Sequence, residues 1–280
     1  MICSSTILVN DKHGILKRVP CGQCINCRLN RAWDWSVRIM HEAKKHDESV
    51  FLTLTYDDDH LPENGSLVVS DLQKFFKRFR KAHKRKVRYF ACGEYGDKTF
   101  RPHYHVAFFN VGYGDFIPLP LKSGKEGLMC KCSEWPFGHV HVGDLTTDSA
   151  NYVAGYILKK QTGKNAHFYK DLGLVPPFCV MSRRPGIGYD YFMDHKDTFE
   201  NNGFVVAKGV KRGLPRYYKD FLMMTAKRIE QFKKSFDAEL ARRQKAEKQG
   251  KSYVQVFYDE EMQRQNDSLA RLKLKKRDSV

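Results

Sequence analysis

The sequence predicts a protein of the α+β class, because segments of strand character alternate with segments of helical periodicity along most of its length. Four segments are rich in β-branched and aromatic residues, and three carry apolar residues at intervals of three and four. Of the 280 residues, 41% are apolar and 13% are aromatic. Such a composition can fill a sizeable core and excludes an intrinsically disordered chain.

The predicted elements begin with a helix and a strand. Apolar residues recur at helical spacing between residues 29 and 40, and a buried strand is expected at 50–56. A second helix follows an acidic, glycine-containing loop, and four apolar residues mark its buried face. Ser70 or Asp71 is its expected N-cap.

The rest of the predicted core contains three strands and one helix. The strands are expected at 87–92, 101–109 and 139–142, and a long connection rich in Gly, Pro and Lys separates the last two. The helix carries a pair of tyrosines, and Thr147 or Asp148 is expected to cap it.

The chain is expected to have three parts. Residues 1–45 hold four cysteines and the first helix, residues 46–213 form the central domain, and residues 214–280 form a basic helical tail with few apolar anchors. There is no apolar run long enough for a transmembrane helix, and the N-terminus lacks the pattern of a secretion signal. We therefore expect no membrane partner, and reduced thiols or metal ligands among the eight cysteines, as in a cytoplasmic protein.

The strong positive charge predicts a polyanionic partner. The formal net charge is +17 at pH 7, and cations that meet phosphates release counterions. The second helix carries many cations with almost no acidic partner, so we expect it to contact DNA; a solvated helix face is the alternative. The cations concerned are Lys77, Arg78, Lys81, Lys84 and Arg85.

Two histidines in the third predicted strand suit a metal ion. Because side chains alternate across a strand, His103 and His105 point to one face while their apolar neighbours enter the core. Glu94, at the end of the preceding strand, is the candidate third ligand. A carboxylate favours Mg²⁺ or Mn²⁺ as the bound ion.

Two alternatives remain open for the metal ligands. His139 and His141 have the same spacing and come just before the tyrosine helix. The acidic loop at 57–59 could supply the carboxylate in place of Glu94. We prefer the first histidine pair because bulky apolar residues flank it.

The paired tyrosines are candidate nucleophiles. Tyr152 and Tyr156 are four residues apart and share one helix face, and Lys159 follows two turns after Tyr152. A tyrosine hydroxyl has a pKa of about 10, so its attack needs a polarised phosphate and a nearby cation. After a strand with two histidines, we expect two catalytic tyrosines assisted by Lys159. A tyrosine pair without such a strand would instead indicate a buried helix face.

The N-terminal cysteines suit a second metal ion. Cys21, Cys24 and Cys27 can wrap a single ion, and Cys3 could supply a fourth thiolate. Four thiolates suit structural Zn²⁺. An iron–sulfur cluster, or free thiols packed beside the first helix, are the alternatives.

Together these motifs resemble those of the HUH endonuclease superfamily. His103-Tyr104-His105 looks like its histidine–hydrophobic–histidine motif, and residues 152–159 are similar to the two-tyrosine motif of phage rolling-circle initiators. The cysteine segment at 20–28 looks closest to the replication initiators of microviruses, in the gokushovirus branch. The resemblance covers about residues 1–185.

The resemblance implies a fold and a reaction. The fold is a central antiparallel β-sheet flanked by helices, so that residues 46–213 would be an HUH nuclease domain. The reaction is metal-dependent nicking of single-stranded DNA at the viral origin within a supercoiled duplex. Tyr152 and Tyr156 would be the nucleophiles, and attack would leave a 5′-phosphotyrosine and a free 3′-hydroxyl. The second tyrosine would then join the product into a circle.

The resemblance also implies host partners. The free 3′-hydroxyl would prime a host DNA polymerase in the bacterial cytoplasm. The sequence lacks a phosphate loop of the helicase type, so a host helicase is expected to unwind the duplex.

Two other functions fit part of the sequence. A non-enzymatic nucleic-acid-binding protein with a zinc-stapled N-terminus would explain the charge and the cysteines, but not the paired histidines and tyrosines at these spacings. A plasmid-mobilising relaxase would share the chemistry, but the short chain and the microvirus-like segments argue against it.

Overall fold

The computed structural model divides the chain into two compact units. One unit contains Met1–Asn30 together with Leu222–Val280, and the other contains Arg31–Phe221. The predicted boundaries after residues 45 and 213 stay a prediction. The structure describes residues 3–10, 16–120, 128–159, 167–222 and 226–277.

An antiparallel sheet of seven strands forms the centre of the larger unit. Helices flank the sheet, so the predicted α+β class with a central antiparallel sheet is confirmed. Numbered in chain order and given in their order across the sheet, the strands are β6 (Ile117–Pro118), β7 (Leu128–Lys131), β8 (Val140–Asp144), β3 (Ser49–Thr55), β5 (Pro102–Phe109), β4 (Arg88–Tyr95) and β9 (Phe178–Met181).

Among the described residues, seven α-helices and one hairpin complete this unit. The three longest helices correspond to the three predicted from apolar spacing. The hairpin consists of β10 (Phe204–Ala207) and β11 (Val210–Gly213). The helices are α1 (Ile25–Ala43), whose first residues belong to the other unit, α2 (Val69–His83), α3 (Thr147–Lys159), α4 (Phe168–Asp171), α5 (Tyr189–Asp194), α6 (Lys196–Asn202) and α7 (Arg216–Lys219).

The two faces of the sheet contribute to two separate cores. On one face, Leu52 of β3 and Val106 of β5 join a cluster with the apolar residues of α2, among them Phe75 and Phe79. On the other face, residues of β4 and β5 pack with α1 and α3, including the fully buried Val153. Strand alternation produces this division, because successive side chains point to opposite faces.

The starts of two helices differ from the prediction. Val68 occupies the N-cap position of α2, and no side chain caps that helix. Thr146 caps α3 instead of Thr147 or Asp148: its Oγ1 accepts the Ser149 N–H at 3.2 Å, while the Ser149 hydroxyl accepts the Thr146 N–H at 2.8 Å. This reciprocal pair satisfies two N–H groups near the helix start.

The long connection between β5 and β8 adds an edge to the sheet. It was expected to be irregular, but β7 pairs with β8 and β6 pairs with β7. Cys130 and Cys132, for which the sequence indicated no role, are buried in the core beside Trp135. The glycine and proline content of the segment hides these short strands from pattern analysis.

The smaller unit contains a hairpin and two long helices. The hairpin is formed by β1 (Ile7–Asn10) and β2 (Leu16–Val19), and the helices are α8 (Ala226–Lys248) and α9 (Tyr253–Arg277). The helical character expected for the tail is therefore present in its described part. None of the described helices is both long and apolar enough to cross a bilayer.

Candidate active site

Two neighbouring strands bring a carboxylate and two imidazoles to one face of the sheet. In the pairing of β4 with β5, Glu94 lies opposite His103 and Cys92 lies opposite His105. Residues directly opposite each other share a face, so all of these side chains point toward the side that α1 and α3 cover. The predicted ligand set is thus assembled by strand register alone.

The three ligand atoms lie close together. The Glu94 Oε1 atom is 2.8 Å from His103 Nε2 and 3.2 Å from His105 Nε2. One atom from each residue fits within a span of 4.8 Å. Glu94 and His105 are buried, and His103 is partly open to solvent. A charged carboxylate is rarely buried without such partners.

Both imidazoles are held by their other nitrogen. His103 Nδ1 lies 3.2 Å from the backbone oxygen of Arg101, and His105 Nδ1 lies 3.0 Å from Thr53 Oγ1. Each acceptor favours the tautomer with hydrogen on Nδ1, which leaves a lone pair on Nε2. Thr53 was not among the predicted site residues, because a threonine within a β-strand resembles an ordinary strand former.

The donor set fits a divalent metal ion. Two Nε2 atoms and one carboxylate oxygen converge, and the ring orientation is fixed by hydrogen bonds, as is common around metal-binding histidines. Carboxylate oxygen suits Mg²⁺ and Mn²⁺, whereas imidazole nitrogen suits softer ions, so the mixed set fits Mn²⁺ better than Mg²⁺.

The predicted tyrosine pair lies against the same histidine. The ring centres of Tyr152 and Tyr156 are 5.1 Å and 5.2 Å from that of His105, and 4.9 Å from each other. Val153 and Ala154, on the opposite side of α3, are buried in the core. Anchoring this helix through its small apolar residues therefore turns both phenols toward the ligand cluster.

The two tyrosines differ sharply in environment. Tyr152 is 52% exposed, whereas Tyr156 is only 6% exposed. Burial, together with hydrogen bonds to Glu94 and Tyr152, raises the pKa of Tyr156 well above its usual range. Tyr156 is therefore held as a neutral phenol beside the carboxylate, while the ring of Tyr152 reaches solvent.

The remaining predicted catalytic residue is Lys159. It is the last residue of α3. Its side chain lies outside the described part of the structure, so the assisting role stays a prediction.

The alternative ligands lie apart from this cluster. His141 pairs with Thr53, which places it on the same face but one strand away from His105. Asp57 is paired with His60, and Asp58 with Arg101 at 2.7 Å. Among the described residues, neither the second histidine pair nor the acidic loop joins a group of three potential ligands.

The cationic helix lies on the far side of the sheet. The apolar residues of α2 pack on the face opposite the ligands. Lys77, Lys81 and Lys84 are exposed. Arg78 instead donates from Nε to the backbone oxygen of Glu134 at 2.8 Å, and Arg85 pairs with Asp115. Contact between α2 and DNA stays a prediction, and the exposed lysines are its best candidates.

The four predicted zinc ligands form a separate cluster in the smaller unit. One sulfur atom from each of Cys3, Cys21, Cys24 and Cys27 fits within a span of 4.8 Å. All eight cysteines are free thiols in the structure.

Comparison with known proteins connects the site with phage replication. Residues 49–161, from β3 to just beyond α3, match the family model of the replication-associated protein ORF2. The chain is 36% identical over 226 residues to the replication-associated protein ORF2 of Spiroplasma virus 4, which covers 75% of this chain and 69% of that protein. No solved structure matches the chain.

Two further relatives carry similar names. The chain is 37% identical over 221 residues to the replication-associated protein VP4 of Bdellovibrio phage phiMH2K, across 72% of this chain and 66% of that protein. It is 32% identical over 222 residues to the replication-associated protein ORF4 of Chlamydia phage 1, across 73% of this chain and 53% of that protein. The matched family region contains every candidate ligand and both tyrosines.

Proposed function

Because the chain belongs to the ORF2 family of phage replication-associated proteins, we propose that it starts replication by nicking one DNA strand at the phage origin. The membership confirms the resemblance to microvirus initiators inferred from the sequence. The nicking reaction, its nucleophile and its metal are the content of the proposal.

One observation carries the proposal. Glu94, His103 and His105 converge within 4.8 Å on one face of the sheet, and both tyrosine rings lie beside His105. A structural tyrosine pair would have no reason to lie against a ligand set of this kind. Transfer of a phosphodiester to a phenol needs such a set of ligands and such a nucleophile side by side.

The first step is assigned to Tyr152. Its exposed hydroxyl attacks the scissile phosphorus, forming the Tyr–O–P bond while the bond from phosphorus to the 3′ oxygen breaks. The phenol proton passes to solvent, and the 3′ oxygen leaves as a hydroxyl. Bound to Glu94, His103 and His105, Mn²⁺ or Mg²⁺ would supply Lewis-acid polarisation of the phosphate. The products are a 5′-phosphotyrosine and a free 3′-hydroxyl.

Tyr156 is assigned to the later strand transfer. It is buried and hydrogen-bonded to Glu94, so it must lose that bond before it can attack. Once Tyr152 carries DNA, its bond to Tyr156 is also lost, which frees the second phenol to cut the regenerated origin. Lys159 is assigned to stabilise the phosphate charge during both steps.

The proposed partners follow from the charge and from the products. A net charge of +17 favours binding to a nucleic acid, and single-stranded DNA at a supercoiled origin is the proposed substrate. The free 3′-hydroxyl would be extended by a host DNA polymerase, and a host helicase would unwind the duplex ahead of it. The bacterial cytoplasm is the proposed location of these events.

Nicking of supercoiled phage DNA in the presence of Mn²⁺ tests the proposal. We expect open-circular product from the natural chain and none from the double variant His103→Ala/His105→Ala, which should still bind DNA. The matched control is His139→Ala/His141→Ala, a pair with the same spacing outside the ligand cluster. Equal loss of nicking in both double variants would contradict the assignment, as would DNA binding without any scission by the natural chain.

A further inference from the structure

We propose that Cys3, Cys21, Cys24 and Cys27 bind a single structural Zn²⁺ ion. The Sγ atom of Cys3 lies 3.6 Å from that of Cys21 and 3.7 Å from that of Cys24. These separations are far longer than a disulfide bond of about 2.05 Å. They match the edge of a tetrahedron, because four thiolates at about 2.3 Å from Zn²⁺ lie about 3.8 Å apart.

The backbone around the cysteines is already shaped as a ligand loop. Gly22 adopts a φ of +74°, which lets the chain turn between Cys21 and Cys24. The Sγ atom of Cys21 then accepts the N–H groups of Gln23 at 3.4 Å and Cys24 at 3.2 Å. Hydrogen bonds of this kind stabilise sulfur in its charged form, which is the form that binds metal.

The distant cysteine receives the same support. Cys3 Sγ accepts the N–H groups of Ser5 and Cys21, both at 3.4 Å. Cys24 Sγ accepts the N–H of Cys27 at 3.5 Å. At least three of the four sulfur atoms are thus surrounded by backbone donors rather than by apolar side chains, an arrangement that a cluster of free packed thiols does not need.

The compactness of the cluster favours one ion over an iron–sulfur cluster. All four sulfur atoms fit within 4.8 Å of one another. A cluster of several iron atoms must hold its thiolates farther apart, because sulfide and iron lie between them. Four thiolates around one ion, with no position left for water, are typical of structural zinc.

The ion would secure the hairpin of β1 and β2. Cys3 precedes β1, whereas Cys21, Cys24 and Cys27 follow β2, so one ion closes the ends of the hairpin. The hairpin in turn contacts α9: Thr6 donates its N–H to Glu261 at 2.5 Å, and Arg18 pairs with Glu260 at 2.9 Å. Metal binding would therefore stabilise the packing of α9 within this unit.

Metal analysis of the full-length chain tests this proposal independently of nicking. We expect about one zinc ion per chain after dialysis, measured by inductively coupled plasma mass spectrometry. Cys24→Ser should lose the ion. Two controls should keep it: Cys179→Ser, which removes a thiol outside the cluster, and His103→Ala/His105→Ala, which removes the other ligand set.

A spectroscopic measurement covers the case in which Cys24→Ser fails to fold. The natural chain, freed of zinc and titrated with Co²⁺, should develop thiolate-to-cobalt charge-transfer absorption that Zn²⁺ then abolishes. Purified chain without bound zinc and without this absorption would overturn the proposal. So would zinc retained by folded Cys24→Ser, or iron accompanied by acid-labile sulfide.

Discussion

Thr53 and His105 lie directly opposite each other on adjacent strands, with Thr53 Oγ1 3.0 Å from His105 Nδ1. The hydroxyl can accept the Nδ1 hydrogen and so direct Nε2 toward Glu94, which lies 3.2 Å away. The orientation of the buried imidazole thus depends on a neighbouring strand that contributes no ligand itself.

We predict that Thr53→Val weakens metal binding about 10- to 100-fold, because valine keeps the shape of threonine but cannot accept the Nδ1 hydrogen. Calorimetric titration with Mn²⁺ measures the change. Thr55→Val is the matched control, since the Thr55 hydroxyl bonds to the backbone oxygen of His139 and to neither proposed histidine ligand. Unchanged Mn²⁺ affinity in Thr53→Val would show that the hydroxyl does not position His105.

A buried ion pair connects α1 with the sheet. Glu42 pairs with Arg88, and it also accepts the N–H of Gly188 at 2.6 Å. Burial opposes the charge of Glu42, but hydrogen bonds from His46, Arg88 and Gly188 outweigh it and lower the pKa of the carboxyl. Breaking the pair leaves an uncompensated buried guanidinium.

We predict that Glu42→Gln lowers the free energy of unfolding by about 3 to 5 kcal/mol, as is usual when one partner of a buried pair is removed. Urea denaturation at pH 7 measures it. The exposed Glu63 provides the control, and Glu63→Gln should stay within about 0.5 kcal/mol of the natural chain. A similar small effect at both positions would mean that Glu42 is not essential to the packing.

Stability should fall in mild acid because of His41. Its Nδ1 lies 2.9 Å from the Tyr218 hydroxyl. Burial, together with the positive charges of Lys44 and His195, lowers its pKa from 6.5 to about 3. Between these two values the unfolded chain binds a proton at this position that the folded chain does not. Stability from His41 is therefore complete above pH 6.5 and is lost progressively as the pH falls toward 3.

For the natural chain, this residue should remove about 2 kcal/mol between pH 7 and pH 5, since each pH unit below 6.5 is worth up to about 1.4 kcal/mol. Urea denaturation at the two pH values, compared between the natural chain and His41→Gln, isolates the contribution. The decrease should be smaller by that amount in the variant. Equal decreases would indicate that His41 is protonated in the folded chain.

The exposed lysines of α2 offer a test of DNA contact on the second face. We predict that Lys77→Ala/Lys81→Ala weakens binding to single-stranded DNA and lowers the slope of log affinity against log salt by up to about 0.7 for each lost contact. Fluorescence anisotropy over a series of salt concentrations gives both quantities. Affinity and slope equal to those of the natural chain would mean that α2 is a solvated surface.

The ligand strand could be predicted from the sequence because strand alternation is a local property. His103 and His105 must share a face in any β-strand, and Tyr152 and Tyr156 must share a face in any helix. Glu94 could be proposed only from its position at a strand end. The register that sets it opposite His103 is a pairing between strands, which the spacing of residues within one strand does not determine.

Other features depend on tertiary packing. The unequal burial of Tyr152 and Tyr156 arises from the way α3 lies on the sheet, and two tyrosines on one helical face look equivalent in the sequence. The short strand β7 lies in a segment rich in glycine and lysine, where local preference gives no signal. The contact between Thr6 and Glu261 joins residues too far apart in the sequence for any local pattern to reveal.

The identity of the residue that carries DNA tests the central claim most directly. The natural chain is incubated with Mn²⁺ and a single-stranded origin oligonucleotide, digested with trypsin and nuclease, and analysed by tandem mass spectrometry. We predict a nucleotide attached through phosphate to Tyr152 and a loss of adduct on the order of 10⁴-fold or more in Tyr152→Phe. Tyr156→Phe should retain the first adduct and lose strand transfer. An adduct on a residue other than these two tyrosines, or cleavage with no adduct at all, would contradict the account.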